Sequence, residues 1–80
     1  MYDVYEMTPS MRLLLTMHSV SAVDPISAKR VEELIGLSNM SDKDLEKALG
    51  ELVSFGYVIK KDQIYYLSSL GISVVRSVYT

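Results

Sequence analysis

The sequence predicts a single domain of the α+β class that is mostly helical. Three observations predict it. The stretch 41–55 has apolar residues at helical spacing, between a start signal and a stop signal. A shorter amphipathic helix precedes it across a tight turn, at about 28–35. Two short runs rich in aromatic and β-branched residues follow, at 57–60 and 64–67, and predict two strands.

The first helix is predicted at about 9–20. Thr8 caps it, and Pro9 suits the first helical position, where an N–H group would have no helical partner. Apolar residues lie around much of its circumference, which is typical of a central helix or an interface helix. The residues before it, 1–7, contain two tyrosines and predict an arm that packs on the domain.

A second helix and a turn lead to the long helix. Ile26 and Ser27 predict a brief strand, and Ser27 then caps a helix at about 28–35. Gly36 ends this helix by supplying a left-handed residue. Residues 38–40 form the turn.

The long helix begins at Ser41, and Asp44 completes a pair that resembles a capping box. Acidic residues near its start also suit the positive end of the helix dipole. Its predicted inner face consists of Leu45, Ala48, Leu49, Leu52 and Phe55. Its predicted outer stripe consists of Lys43, Lys47, Gly50 and Ser54, with acids on both flanks.

A β-hairpin and a last helix complete the chain. Gly56 ends the long helix, and the strands at 57–60 and 64–67 join through a polar turn. Ser68 caps a helix at about 69–79. This helix is broadly apolar but rich in valine, a poor helix former, so packing must hold it in place.

Three stretches in this order carry a family resemblance. Residues 26–38 contain a helix and turn, and residues 45–58 run through leucines and a glycine into a strand. Residues 65–71, Tyr-Tyr-Leu-Ser-Ser-Leu-Gly, are similar to the pattern Y-x-L-T-x-x-G, with Ser68 in place of threonine. Together they resemble the winged helix-turn-helix superfamily, such as the small MarR-, ArsR- and PadR-like regulators. The resemblance implies a three-helix core, a wing of two or three strands and a C-terminal helix.

The resemblance also implies a function. The protein would bind double-stranded DNA sequence-specifically, and it would regulate transcription by occupying an operator as a homodimer. The helix at 41–55 would enter the major groove, and the wing would touch the backbone or minor groove. The dimer would form through the arm, the first helix and the last helix. The candidate DNA-binding residues are Arg30, Ser38, Asn39, Ser41, Lys43, Lys47, Gly50, Ser54, Lys60 and Lys61.

Each candidate residue also has a purely structural interpretation. The lysines of the long helix suit a solvated face with charge pairs, and Ser41 suits a cap. The hairpin lysines discourage edge-to-edge pairing, and Arg30 suits a pair with Glu32 or Glu33. The long helix lacks arginine, glutamine and asparagine, which make most bidentate base contacts. A winged-helix protein-interaction module without DNA binding is therefore the alternative function.

Composition and motifs limit the classes of function and the cellular location that we expect. The chain has no cysteine, which excludes disulfides, thiolate metal sites and thiol catalysis. It has no nucleophile elbow, phosphate-binding glycine loop or metal-ligand pattern around His18, so we expect no enzyme, metal or cofactor. It has neither a signal peptide nor an apolar run of ~18 residues, so we expect a cytoplasmic protein with no membrane partner. The net charge of −2 counts against nucleic-acid binding by the whole surface but allows binding by a local basic stripe. The apolar content of 49% favours a dimer interface.

Overall fold

Four helices and a three-stranded antiparallel sheet make up the described part of the chain, residues 8–79 of a computed structural model. This is a small α+β structure, mostly helical, and its layout is compatible with that of a winged helix. Because the two outer strands flank β3, segments far apart in the sequence meet in the sheet. The elements in chain order are α1 (Pro9–Ser19), β1 (Lys29–Arg30), α2 (Val31–Ser38), α3 (Asp42–Ser54), β2 (Val58–Lys61), β3 (Ile64–Leu67) and α4 (Ser69–Tyr79).

Helix α1 is the central helix. The hydroxyl oxygen of Thr8 accepts a hydrogen bond from the backbone N–H of Met11 at 3.2 Å, which confirms the predicted cap. The helix packs mainly against α3 and also touches α2, α4 and β3. Leu13, Leu14 and Met17 are completely buried. The predicted arm at 1–7 lies outside the described residues.

The segment between α1 and α2 differs from the sequence prediction. The strand lies at Lys29–Arg30, and Ile26 is 96% exposed. The carboxylate of Asp24 accepts hydrogen bonds from the backbone N–H groups of Ile26 and Ser27, at 3.0 and 2.8 Å. It also accepts one from the Ser27 hydroxyl at 2.9 Å. The prediction that Ser27 caps α2 is wrong because Asp24 holds Ser27 in a turn of its own.

Helix α2 also begins and ends later than predicted. It runs over Val31–Ser38, so Gly36 lies inside it. Asn39 ends the helix, with a φ of 61° and its N–H bonded to the carbonyl oxygen of Ile35 at 3.2 Å. Asparagine tolerates this left-handed conformation better than most residues. The continued helix places Ser38 one turn beyond the fully buried Leu34, on the side that faces the core.

Helix α3 follows the prediction closely at its start. The Ser41 hydroxyl accepts a hydrogen bond from the Asp44 backbone N–H at 3.2 Å. Among the described residues, the Asp44 carboxylate accepts no hydrogen bond from the Ser41 backbone N–H, so one half of the predicted capping box forms. Phe55, predicted on the inner face, is 58% exposed because the helix ends just before it. Its ring lies against that of Tyr57, with centroids 5.6 Å apart. The buried inner face consists of Leu45, Ala48, Leu49 and Leu52.

The hairpin of β2 and β3 starts one residue later than predicted and turns at Asp62, which has a φ of 57°. Val58 pairs with Leu67, and both are buried. Ile59 pairs with Tyr66 on the opposite face, as the alternation along a strand predicts. Tyr66 is half-buried there.

Helix α4 closes the core. The Ser68 hydroxyl accepts a hydrogen bond from the Gly71 backbone N–H at 3.0 Å, which confirms the predicted cap. Val75 is completely buried, and Ile72 and Val74 pack at the edge of the core. None of the helices in residues 8–79 is long and apolar enough to cross a membrane. The core residues are Leu13, Leu14, Met17, Ala22, Leu34, Met40, Leu45, Ala48, Leu49, Leu52, Val58, Leu67 and Val75.

Candidate nucleic-acid interface

The predicted outer stripe of α3 is exposed along its whole length. Lys43, Lys47, Gly50 and Ser54 all face solvent. Within residues 8–79 the ion pair that forms is Lys29–Glu33, at 3.9 Å, so neither lysine of the stripe is paired with a neighbouring acid there. The stripe therefore presents two ammonium groups that form no ion pair with a described carboxylate.

The three polar residues before α3 have different positions. Ser38 is 7% exposed, and its hydroxyl oxygen accepts a hydrogen bond from the Met40 backbone N–H at 3.3 Å. Asn39 and Ser41 are exposed. Ser38 therefore supports the turn from within, while Asn39 and Ser41 lie on the surface at the positive end of α3.

The strand register arranges four cationic residues in two rows across the sheet. Lys29 pairs with Tyr65, which pairs with Lys60 on its other side. Directly paired residues project from the same face of a sheet. The ammonium group of Lys60 lies 6.0 Å from the centre of the Tyr65 ring, within reach of a cation–π contact. This row therefore consists of a tyrosine between two lysines.

The second row lies on the other face of the sheet. Arg30 pairs with Ile64, which pairs with Lys61. Arg30, Lys60 and Lys61 were expected from the sequence to contact DNA, but Lys29 was not. Its place in a basic row depends on the pairing of β1 with β3, which joins segments more than thirty residues apart. No local pattern in the sequence signals that pairing.

A groove brings part of α3 together with the hairpin. It has a volume of about 590 Å³ and lies between α2, α3 and the sheet. Gly50 and Ser54 of α3 stand on one side of it, and Lys60 and Tyr65 stand on the other. We call it the α3–hairpin groove; its lining residues are Val31, Ile35, Asp42, Glu46, Leu49, Gly50, Val53, Ser54, Lys60 and Tyr65.

The other side of α3 faces the start of α1. A smaller cavity of about 250 Å³ lies there, and Lys47 lines it with Asp44 and Glu51. The Glu51 carboxylate accepts a hydrogen bond from the Ser10 hydroxyl at 2.6 Å, which ties α3 to α1. The structure thus divides the predicted stripe, with Gly50 and Ser54 turned towards the hairpin and Lys47 towards α1.

Within residues 8–79, no group of three or more histidine or acidic residues could hold a metal ion. The chain matches no protein-family model and no curated protein. The assignment of function therefore rests on the residues and their geometry.

Proposed function

We propose that this protein is a winged-helix DNA-binding protein that regulates transcription as a dimer. The observation that carries the proposal is the concentration of positive charge on the sheet. Lys29, Arg30, Lys60 and Lys61 are four of the eight basic residues, and all lie on its two outer strands. Lys29, which pairs with Glu33, and Lys60 lie on one face of the sheet, and Arg30 and Lys61 lie on the other. In a chain of net charge −2, such clustering favours a local anionic partner.

Helix α3 has the dimensions of a recognition helix. Its 13 residues span roughly 20 Å, and a helix about 10–12 Å wide fits the major groove of B-DNA. Lys43 and Lys47 project from the face that would enter the groove, and they contact phosphates or guanine edges. Asn39 and Ser41 lie at the helix N-terminus, where backbone N–H groups bind phosphate.

The wing adds contacts to the DNA backbone. Lys60 lies on one face of the sheet and Arg30 and Lys61 on the other, so the three contact phosphates on both sides of the wing. Because α3 lacks the side chains that make most bidentate base contacts, phosphate contacts supply most of the affinity. The affinity for DNA is therefore expected to fall steeply as the salt concentration rises. For each phosphate that the protein neutralises, log K falls by about 0.9 for each tenfold rise in salt concentration.

A dimer places two recognition helices about one DNA turn apart, a spacing of about 34 Å. Helices α1 and α4 supply the contact, and Leu70 of α4 is 53% exposed. Light scattering should give twice the chain mass of 9.0 kDa; a monomer at high protein concentration would contradict the dimer.

The test of DNA binding is selection from random duplexes, followed by titration of the selected site between about 50 and 200 mM salt. The Lys43→Gln, Lys47→Gln double variant should weaken binding at least tenfold. The control is Arg12→Gln, Arg76→Gln, which removes the same charge from α1 and α4, with its assembly state checked by light scattering. Equal weakening in both variants, or no binding by the native protein at low salt, would overturn the proposal.

The acids of α3 favour protein binding as a second function. Asp42 and Glu46 are exposed and line the α3–hairpin groove. Carboxylates in this position repel phosphate and attract basic groups. A stable complex with a protein and without DNA would support this second function.

A further inference from the structure

Four aliphatic side chains and a tyrosine line the α3–hairpin groove. Val31 and Ile35 come from α2, and Leu49 and Val53 come from α3. Tyr65 closes the groove from the sheet. Val53 is 38% exposed, so its side chain is available to a ligand in the groove. A partner that covers these side chains would gain free energy by removing apolar surface from water.

The α3 side of the groove is acidic. Asp42 and Glu46 are four residues apart and therefore lie on one side of the helix. Both are exposed, and neither carboxylate forms an ion pair or hydrogen bond with another residue of the described chain. Two like charges at this spacing repel each other, so a cation placed between them is stabilised by both.

The opposite side of the groove carries one cation, Lys60, which lies over the Tyr65 ring. The lining therefore has two carboxylates and one ammonium group, for a net charge of −1. Both carboxylates belong to α3, whereas Lys60 belongs to β2. This arrangement is complementary to a segment with apolar side chains and a basic residue at one edge.

We propose that the α3–hairpin groove is a docking site for a basic, apolar segment of a partner protein. A lysine or arginine of the segment binds between Asp42 and Glu46, and its apolar side chains cover Val53 and Tyr65. The volume of about 590 Å³ lies within the ~300–1,000 Å³ usual for binding pockets, so a short segment fills it. The inference does not rest on DNA binding.

Docking of such a segment would exclude DNA. Gly50, Ser54 and Lys60 line the groove, and all three are among the candidate DNA-binding residues. A bound segment covers them and brings its bulk between α3 and the hairpin. The partner therefore competes with DNA if both bind, which would make it a regulator of the DNA-bound state.

The test uses the full chain and a library of random 12-residue peptides displayed on phage. Peptides that bind should contain lysine or arginine beside apolar residues. Their affinity should fall about tenfold, equivalent to about 1.4 kcal/mol, in the Asp42→Asn, Glu46→Gln variant. The matched control is Asp44→Asn, Glu51→Gln, which removes two charges from the other side of the same helix and should leave the affinity within about twofold.

Nuclear magnetic resonance gives an independent measurement. Addition of the selected peptide should shift the backbone signals of Val53, Tyr65 and their neighbours. Enrichment of acidic or uncharged peptides, equal loss in both variants, or signal shifts confined to α1 and α4 would each overturn the docking site. The last outcome would indicate association through the proposed dimer surface. Failure to select any binding peptide would also overturn it, and the DNA titration would be unaffected.

Discussion

Gly71 of α4 lies directly against the backbone of Tyr57. A Cβ atom at position 71 would overlap the Tyr57 carbonyl oxygen and would approach the Tyr57 carbonyl carbon to 3.0 Å. The same carbonyl oxygen accepts a hydrogen bond from the Ser68 backbone N–H at 3.0 Å, and the Ser68 hydroxyl donates to the Gly56 carbonyl oxygen at 2.5 Å. Ser68 and Gly71 thus join the start of α4 to the segment between α3 and β2.

Gly71→Ala should destabilise the protein by about 1–3 kcal/mol, because backbone must move to admit the methyl group. A loss of that size lowers the melting temperature by about 4–8 °C per kcal/mol in a domain of this length. Thermal unfolding measures it.

The control is Gly36→Ala, at a helical glycine with no atom within 4 Å of the added methyl group. It should stabilise by about 1 kcal/mol, since alanine favours the helix. A neutral Gly71→Ala would show that the two segments are not in close contact.

Asn39 ends α2 in the left-handed conformation, with a φ of 61°. Asn39→Ala should destabilise by about 1–2 kcal/mol, because alanine keeps the Cβ strain of this conformation but loses the short polar side chain that offsets the strain in asparagine. Asn39→Gly, which lacks the Cβ, should leave the stability almost unchanged. Equal losses in the two variants would mean that the asparagine side chain, and not the backbone conformation, is what matters. Chemical denaturation of both variants distinguishes the two cases.

The hydrogen bonds to the Asp24 carboxylate should stabilise its turn at neutral pH and lose this effect in acid. Hydrogen bonds from the Ser27 backbone and hydroxyl lower the pKa of Asp24 below 3.8; burial opposes this shift, and the Ile26 N–H makes the smallest contribution to it. Because the folded pKa is the lower one, the stabilisation is complete above the unfolded value and is lost as pH falls through the folded pKa.

A carboxyl titration by nuclear magnetic resonance tests this. Ser27→Ala should raise the pKa of Asp24 towards 3.8, since it removes the hydroxyl donor. Ser69→Ala, at an exposed serine of α4, should leave it unchanged. A pKa that stays low in Ser27→Ala would assign the effect to the backbone donors alone.

Lys60 and Lys61 should act on DNA through charge alone. In the Lys60→Gln, Lys61→Gln variant, affinity should fall to a similar extent for every DNA sequence. The plot of log K against log salt concentration should also become less steep, by the amount that corresponds to about two lost phosphate contacts. Titrations on a selected site and on a random duplex at several salt concentrations measure both. A loss confined to the selected site would instead indicate that the wing contacts bases.

The helix caps could be predicted because they depend on neighbouring residues. Thr8, Ser41 and Ser68 each accept a hydrogen bond from an N–H group three residues later, so the sequence contains both partners. The prediction that Ser27 caps α2 was wrong because the Ser27 backbone N–H donates a hydrogen bond to the carboxylate of Asp24, three residues upstream. Gly36 was predicted to end α2, but the helix continues through Ser38 and ends at Asn39, which also tolerates the left-handed conformation.

The candidate interface was predicted only in part. The exposed face of α3 follows from helical spacing, so Lys43 and Lys47 could be named from the sequence. Lys29 could not, because its row exists only when β1 pairs with β3. The same holds for the acids of α3, whose position at the edge of a groove depends on where α2 and the hairpin lie.

By itself, the sequence determined where three helices begin, which face of α3 is buried and where the hairpin turns. These properties follow from hydrogen bonds and apolar spacing within a few residues along the chain. The tertiary structure decided which side of α3 faces the hairpin and which faces α1, and it assembled the two basic rows of the sheet. Those properties depend on packing between distant segments, because a helix has a defined inner face but no defined neighbours until the core has formed.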